Sequence, residues 1–398
     1  MLSVDEARAR VLEGARPLGE AFVWLEEGLG RALSRPVRSR FALPPFDNSA
    51  MDGYAARWSE LGEGVTLPVA LEAAAGSDPG PLPPGCAARI MTGGRLPEGA
   101  DTVVMREDTR EEGARVTFVS LPRAGRGAHI RRRGEVLGEG EVALEAGSVL
   151  DAGSLGLLAG AGHARVAVWR RPRVALLTTG DELVEPGSPL GPGEIVNSSK
   201  VTLGALLRAA GAEVWALPAV RDEEGPLREA FEAALASADV VVSTGGVSVG
   251  DRDRVREVIE ALCGGLVFWK VRMKPGKPLA FGRAGRVPVL GLPGNPVSAA
   301  VSFWVFVWPL LRRMQGQGEA LEAVEARLEG AVSSTASRLE LARGWLRWER
   351  EGWWFRACAG QGSAELRSLV GVNGLALIPE GCEGLEAGAA AQVWRLPS

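Results

Sequence analysis

The sequence predicts a multidomain α/β protein, with a helix-covered parallel sheet accompanied by a β-rich insert and a small β domain at the end of the chain. Three observations predict it. From Arg173 onward, apolar strand-like runs alternate with helical periods, the pattern of a parallel sheet covered on both faces. Residues 42–135 instead hold Pro- and Gly-rich stretches such as GSDPGPLPPG between short β-like runs, VTLPVALEA, TVVMRED and RVTFVS. Residues 318–398 carry short, partly alternating runs, WLRWER, WWFRACA, GLALIPE and AQVWRL, which suggest a small barrel or sandwich. At roughly 100–200 residues per domain, a chain of 398 residues should fold as two to four domains.

Residues 1–41 read as helical, an apolar stripe with Arg and Glu between, ending at the Gly28, Gly30 and Pro36 breakers. Residues 42–135 form the β-rich insert. Residues 136–170 resume short helical pieces and lead into the strand ARVAVW, so 1–41 and 136–170 make one discontinuous helical, linking domain. The α/β domain spans 171–317. It opens with the buried run RVALLTTGDELV, followed by a helix over residues 199–210 with Leu203, Leu206, Leu207 and Ala210 on one face. The strand EVWALPAV comes next, then a helix presenting Leu227, Ala230, Phe231, Ala234 and Leu235, the strand DVVVSTGG, and a helix over residues 254–262. WKVRM and VPVLGLPG bracket the run LAFGR. In GNPVSAAV a helix begins, with Asn295 able to cap and Pro296 suited to the first helical position. Residues 318–398 are the last domain.

Composition narrows the function classes. Apolar residues are 46% and charged residues 24%, as in a soluble globular chain, and the formal net charge of −4 gives no global field to recruit nucleic acid or a membrane surface. Cys86, Cys263, Cys358 and Cys382 are far apart, with no C-x-x-C pair, and His129 and His163 are the only histidines, which disfavours a structural zinc site. The charged start MLSVDEARAR reads as an amphipathic helix rather than a signal peptide. The longest apolar run, residues 297–311, falls short of the ~20 residues that span a bilayer. It reads as a core helix, and the protein as cytoplasmic.

Residue scarcity acts as a filter. Of 45 basic residues only four are lysine: Lys200, Lys270, Lys274 and Lys277. Three of them fall within eight residues, and an ammonium is a compact point charge that guanidinium does not replace at every oxyanion site. The four asparagines, Asn48, Asn197, Asn295 and Asn373, each sit in a Gly-, Ser- or Pro-rich stretch.

In an open α/β sheet, ligands bind beyond the carboxyl ends of the strands. Four segments belong there: Thr178-Thr179-Gly180-Asp181-Glu182, Arg221-Asp222, the run from Thr244 through Gly245, Gly246 and Ser248 to Asp253, and Gly291-Leu292-Pro293-Gly294-Asn295-Pro296. Glycines after a strand let backbone N–H groups form an anion-binding nest. Thr244 and Ser248 add hydroxyls. Glu182, Asp222 and Asp253 are hard oxygen ligands suited to Mg²⁺ bridging phosphates, and Lys270 and Lys274 bring cations to an oxyanion. A TGG turn alone is often only a tight turn, and Asp251 or Asp253 could simply cap a helix. There is no G-x-x-x-x-G-K-[ST] and no G-x-G-x-x-G, so P-loop and dinucleotide-binding readings lose ground. PPFDNSAMDGYA, RIMTGG and the basic run Arg131-Arg132-Arg133-Gly134 form a second concentration of polar, Gly-punctuated chain, readable either as loops or as parts of a site.

PPFDNSAMDGYA, RIMTGGRLPEGADTVV, IRRRGE, TTGDEL, GGVSVGDRD, MKPGKP and GLPGNPVSA occur in this order, and together they resemble the molybdopterin molybdenumtransferase family, which includes the carboxyl-terminal domain of gephyrin. The resemblance covers essentially the whole chain. It implies an elongated homodimer of four-domain subunits, with a three-layer α/β molybdopterin-binding domain and a carboxyl-terminal β-barrel. The implied reaction loads molybdenum from molybdate onto the dithiolene of adenylylated molybdopterin and releases AMP, with Mg²⁺ assisting. By motif it assigns Asp52, Thr92, Glu182, Asp222, Asp253, Lys270 and Lys274 to catalysis, with Glu182, Asp222 and Asp253 as metal ligands. Substrate binding falls to Arg131, Thr179, Gly245, Gly246, Ser248, Lys277, Pro293 and Asn295, with Ser363 and Ser368 as further candidates in the last domain. Asp52 and Thr92 would complete the site from the other subunit, and the molybdopterin adenylyltransferase is a candidate partner. One departure stands out: the family commonly reads G-E-D after the basic run, whereas this chain has Gly134-Glu135-Val136, so an expected acid is missing. Two other readings compete, adenylylation of molybdopterin itself and a non-catalytic dimeric scaffold. The first would need only the α/β domain, and the second does not call for the lysines and carboxylates.

Overall fold

The computed structural model describes residues 1–247, 254–318, 321–335, 337–349 and 352–397. The chain divides into two compact units: one comprises residues 1–21, 30–32 and 169–398, the other residues 22–29 and 33–168.

The first unit is built around a six-stranded sheet. Its spatial order is Glu213–Ala216, Arg173–Thr178, Val240–Thr244, Val287–Leu292, Ala280–Ala284 and Leu266–Trp269. The first four strands are parallel, as the alternating pattern predicts. The strand Ala280–Ala284 runs antiparallel to both of its neighbours. The reason is local. Ala284 pairs with Val287 across only Gly285 and Arg286, a link that permits a hairpin but not a crossover, and Gly285 has φ +60°.

Side chains along the central strands alternate between two cores, as period-2 geometry requires. Val174, Leu176, Val240, Val242, Leu290 and Leu292 face one core, shared with Leu203 and Leu207 of the helix Ser198–Ala209 and with Val4, Ala7 and Val11 of the helix Val4–Leu12. Ala175, Leu177, Val241 and Val289 face the other, covered by Leu227, Phe231 and Ala234 of Glu224–Ser237 and by Val255, Val258 and Ile259 of Arg254–Cys263. The result is a three-layer domain. The apolar run predicted as a core helix is fully buried. It forms Pro296–Ser302, a π-helical turn Phe303–Val307, and Trp308–Met314. Pro309 lacks the N–H that would continue the α-helical ladder, which accounts for the local widening.

The final residues form a closed five-stranded barrel. Leu339–Glu349 pairs with Gly352–Ala357 on one side and Gly374–Ile378 on the other, and Ala323–Leu328 and Ala390–Arg395 complete the circuit. The sequence left barrel and sandwich open, and closure decides it. The short strand Met273–Lys274, contributed by the α/β domain, adds in parallel to Leu339–Glu349.

The second unit holds a six-stranded sheet in the order Thr102–Met105, Gly53–Ala56, Ala87–Ile90, Thr66–Ala73, Arg115–Phe118 and Thr109–Glu112. Tyr54 and Val104 pack on one face, Ala55 and Val103 on the other.

The structure corrects the reading of residues 1–41 as helical. Only Val4–Leu12 is an α-helix, closed by a Ser3–Glu6 capping box, and Glu20–Trp24 is a strand. The Arg–Glu spacing was compatible with both periods. In EAFVW the alternating burial is the two-residue period of a strand, and Gly14, Pro17 and Gly19 break the helix before it. Among the described residues no helix is long and apolar enough to cross a membrane. All four cysteines are unbridged, and burial pushes the Cys263 thiol up to about 11.

Phe355 is fully buried at the centre of the barrel core. Phe355→Ala should cost about 3–5 kcal/mol. The loss should be read as a lower urea midpoint by fluorescence, because Trp345, Trp348, Trp353, Trp354 and Trp394 all lie in the barrel strands.

Candidate active site

Parallel register sets the level of the site. Thr178 lies opposite Thr244, and Thr244 opposite Leu292, so three adjacent strands end together. The first two exit into turns with glycine at positive φ, Gly180 and Gly245. A Cβ on Gly180 (φ +150°) would stand 2.7 Å from the Glu182 carboxylate, and one on Gly245 (φ +103°) would stand 2.4 Å from the Thr179 carbonyl. The backbone therefore approaches closely enough to leave a cleft of about 620 Å³. It is lined by Thr179, Glu182, Asp222, Gly245, Gly246, Pro293 and Asn295, seven residues named from sequence. A second cavity of about 780 Å³ holds Lys274, Lys277 and Ser363, and Pro293 and Asn295 line both.

The wall between the cavities is tied to the barrel. Asn295 sits at the helix N-cap position but makes no side-chain cap; its Nδ2 instead donates to Ser363 Oγ at 3.1 Å. This corrects its predicted capping role: the amide is turned to the barrel serine and not to the N2 or N3 backbone N–H that a cap serves. Thr244 Oγ1 donates to the Pro293 carbonyl at 2.7 Å and locks two of the strand ends together. The lysine loop is closed by backbone bonds from Lys270 N to the Leu279 carbonyl and from Val271 N to the Lys277 carbonyl, both 3.0 Å. Lys274 Nζ lies 3.0 Å from Glu340 Oε1, and the Glu340 side chain is only 8% exposed, so this cation meets a buried carboxylate from the barrel.

Two predicted positions of this unit stand apart. Lys270 lines neither cavity; its Nζ lies 3.6 Å from the centre of the Trp269 ring. Ser368 is buried, its hydroxyl accepting from Arg343 Nε at 2.9 Å and donating to the Glu365 carbonyl at 2.7 Å, so it braces the barrel and lines neither cavity. Ser248 and Asp253 lie outside the described residues. Among the described residues no three carboxylate, histidine or cysteine groups gather as a metal site. Glu182 and Asp222 do share the first cleft with the glycine turns, which suits Mg²⁺, an ion usually held by one or two carboxylates together with substrate phosphates.

In the second unit, the register Gly53 opposite Ile90 brings the residues just before and just after those strands together. Asp52 Oδ1 accepts from Thr92 N at 2.7 Å and from Thr92 Oγ1 at 2.8 Å. These bonds, backbone first and hydroxyl second, hold the Asp52 carboxyl below its ordinary range, with the Arg106 charge assisting. Arg131 is exposed on the short pairing of Ile130–Arg131 with Asn48–Ser49. Its neighbours are occupied: Arg132 Nη1 donates to Asp47 Oδ2 at 2.7 Å, and Arg133 pairs with Glu139 at 3.2 Å. Glu135 accepts from Arg132 N at 2.7 Å, bracing its own turn, and Val136 is 64% exposed where an acid was expected.

Sequence reasoning missed several contributors. Asn197 lines the first cleft, donates to Thr178 Oγ1 at 2.8 Å and accepts from Lys200 N at 3.1 Å. Its scarcity was the available signal. Glu340, in LELARGW, gave none. Leu183, Ile195, Val196 and Leu366 add an apolar wall to the cleft, and nothing in their local pattern marked them.

Three family models tile the chain: the MoeA N-terminal region (domain I and II) over residues 2–162, a probable molybdopterin binding domain over 175–313, and the MoeA C-terminal region (domain IV) over 325–396. A molybdopterin molybdenumtransferase of Haemophilus influenzae is 43% identical over 320 residues, covering 80% of this chain and 78% of the relative. One from Nostoc sp. is 39% identical over 380 residues, covering 92% and 87%. The chain belongs to the molybdopterin molybdenumtransferase family. A crystal structure of a molybdopterin biosynthesis MoeA protein from Pyrococcus horikoshii matches with a TM-score of 0.84 at 30% identity, covering 99% of each chain.

Thr92→Val removes the hydroxyl bond to Asp52 but keeps the backbone bond. The Asp52 carboxyl should then rise part of the way to its ordinary range, measured by carboxyl carbon NMR titration. Because this carboxyl is depressed in the folded protein, its contribution to stability is present above the ordinary carboxylate range and is lost as pH falls through the folded value.

Proposed function

We propose that this transferase of molybdenum cofactor biosynthesis takes adenylylated molybdopterin and molybdate, loads molybdenum onto the dithiolene sulfurs and releases AMP, with Mg²⁺ assisting. The observation that carries the reading is the pair of adjoining cavities with different chemistry. One has carboxylates and glycine turns; the other has Lys274 and Lys277, and Asn295 and Pro293 stand between them.

The first cleft suits the phosphate end of the substrate. The glycine turn after Thr244 would present backbone N–H groups to phosphate oxygens at a strand end, with the Gly245 N–H itself spent on the Leu292 carbonyl at 3.4 Å. Glu182 and Asp222, joined by Asp253, would hold Mg²⁺, which when bound neutralises phosphate charge. Thr179 and Thr244 are buried hydroxyl residues of this wall. The second cavity suits a tetrahedral dianion: Lys274 and Lys277 supply cations, and the Ser363 hydroxyl supplies a donor already oriented by Asn295. Lys274 exchanges its Glu340 partner for the oxyanion as charge accumulates there. The proposal includes a homodimer in which a second copy contributes Asp52, Thr92 and Arg131, a cytoplasmic location, and the molybdopterin adenylyltransferase as the supplier of substrate.

The test supplies purified protein with adenylylated molybdopterin, Mg²⁺ and molybdate and follows AMP release and cofactor formation. Turnover by the wild type is expected, and no AMP would sink the reading. Lys274→Ala and Glu182→Gln should each lower kcat by about 100-fold or more while circular dichroism stays native; full activity in both would move the site elsewhere.

A further inference from the structure

Lys270 is one of only four lysines, yet it lines neither cavity. Its backbone is also unusual, with φ +69°, the left-handed region that a residue bearing a Cβ rarely occupies and that persists only where the surroundings dictate it. The backbone is held by the bond from Lys270 N to the Leu279 carbonyl, and the side chain meets Trp269. The Lys270 ammonium lies 3.6 Å from the centre of the indole. The same indole donates through Nε1 to the Val247 carbonyl at 3.3 Å, directly after the Gly245-Gly246 turn. The Arg256 guanidinium carbon lies 4.6 Å from the ring centre, on the first turn of the helix Arg254–Cys263. One side chain therefore touches the lysine loop, the glycine turn and the start of the following helix.

We infer that Trp269 is a positioning residue of the reaction, fixing the Lys270 ammonium relative to the glycine turn of the first cleft. Its kinetic part alone rests on the proposed molybdenum insertion and on the catalytic role that the resemblance assigns to Lys270. Two independent forces act through the indole. The π face attracts cations, and guanidinium and ammonium groups both use it here. The N–H is a donor that a half-buried indole must satisfy, and the Val247 carbonyl satisfies it. A Phe at this position keeps the first force and loses the second; a Leu loses both. An isolated lysine would sample many rotamers. Held on a ring that is itself hydrogen-bonded to the glycine turn, its charge starts from a fixed point beside that turn.

The scarcity of lysine makes the contact directly observable. Uniformly ¹³C-labelled lysine in the intact protein gives four ε-methylene signals, and Lys270→Arg identifies its own. Protons over an indole face are shielded, so the Lys270 signal should lie upfield of the other three. It should return to their region in Trp269→Leu and stay partly shielded in Trp269→Phe. In the AMP-release assay, Trp269→Leu should lower kcat about tenfold with KM for molybdate changed less than about twofold. In a Lys270→Ala background the same substitution should cost nothing further, because its effect runs through the lysine. A Lys270 signal among the others in the wild type, an unmoved signal in Trp269→Leu, or multiplicative losses in the double variant would overturn the inference. Should Trp269→Leu fail to fold, Trp269→Phe decides: a lowered kcat with no added loss in Lys270→Ala supports it, and a wild-type kcat overturns it. Failure of the functional reading looks different, since the wild type would then release no AMP while the lysine spectrum would still report the contact.

Discussion

Three strands that stop at the same level hold this architecture together. Parallel pairing places Thr178, Thr244 and Leu292 side by side, and Thr179, Glu182, Gly245, Gly246, Pro293 and Asn295 of the first cleft hang from the turns that follow them. A slip of one residue in any of these pairings would turn the buried valines and leucines to the wrong layer. The two cores on either face of the sheet therefore fix the register, and the register fixes the cleft. Glycines at 180 and 245 are a consequence, since both positions take a positive φ and a Cβ on Gly245 would meet the Thr179 carbonyl.

Much of this was legible in the sequence because it obeys local rules. Continuous apolar runs gave the central strands, helical spacing of Leu203, Leu207, Leu227 and Phe231 gave two covering helices, and glycines after strands gave the turns. The lysine cluster was visible through scarcity. What escaped depended on pairing between distant segments. The hairpin that reverses Ala280–Ala284 and the closure of the barrel are properties of partners, not of runs. The strand Glu20–Trp24 hid in a stretch whose spacing fits two periods. Ser368 looked like a ligand in a Ser- and Gly-rich segment, but a buried arginine, Arg343, takes its hydroxyl. Asn295 looked like a cap and is a tie to Ser363.

The same distinction explains the electrostatics. Lys274 does not wait as a bare charge. Its contact with Glu340 satisfies a carboxylate that would otherwise be stranded in the barrel wall, and leaves the cavity less positive than its lysines suggest. Under the proposed function, an oxyanion entering there would compete with a resident carboxylate, a differential demand that favours ligands of higher charge. The Asp52–Thr92 pair is tuned the other way: two donors keep its carboxylate ionised and oriented.

The short strand Met273–Lys274 belongs by sequence to the α/β domain and by hydrogen bonding to the barrel sheet. This makes the barrel a poor candidate for a detachable module. Cutting the chain before Ala323 would strip Met273 of its pairing partner Leu339 and Lys274 of Glu340, and would leave Asn295 without Ser363. Loss of the last segment would thus leave the loop that carries three of the four lysines held by its own backbone bonds alone, from Lys270 N to the Leu279 carbonyl and from Val271 N to the Lys277 carbonyl. The joint is therefore stitched by pairing and charge on both sides, even though the sequence there looks like an ordinary domain boundary.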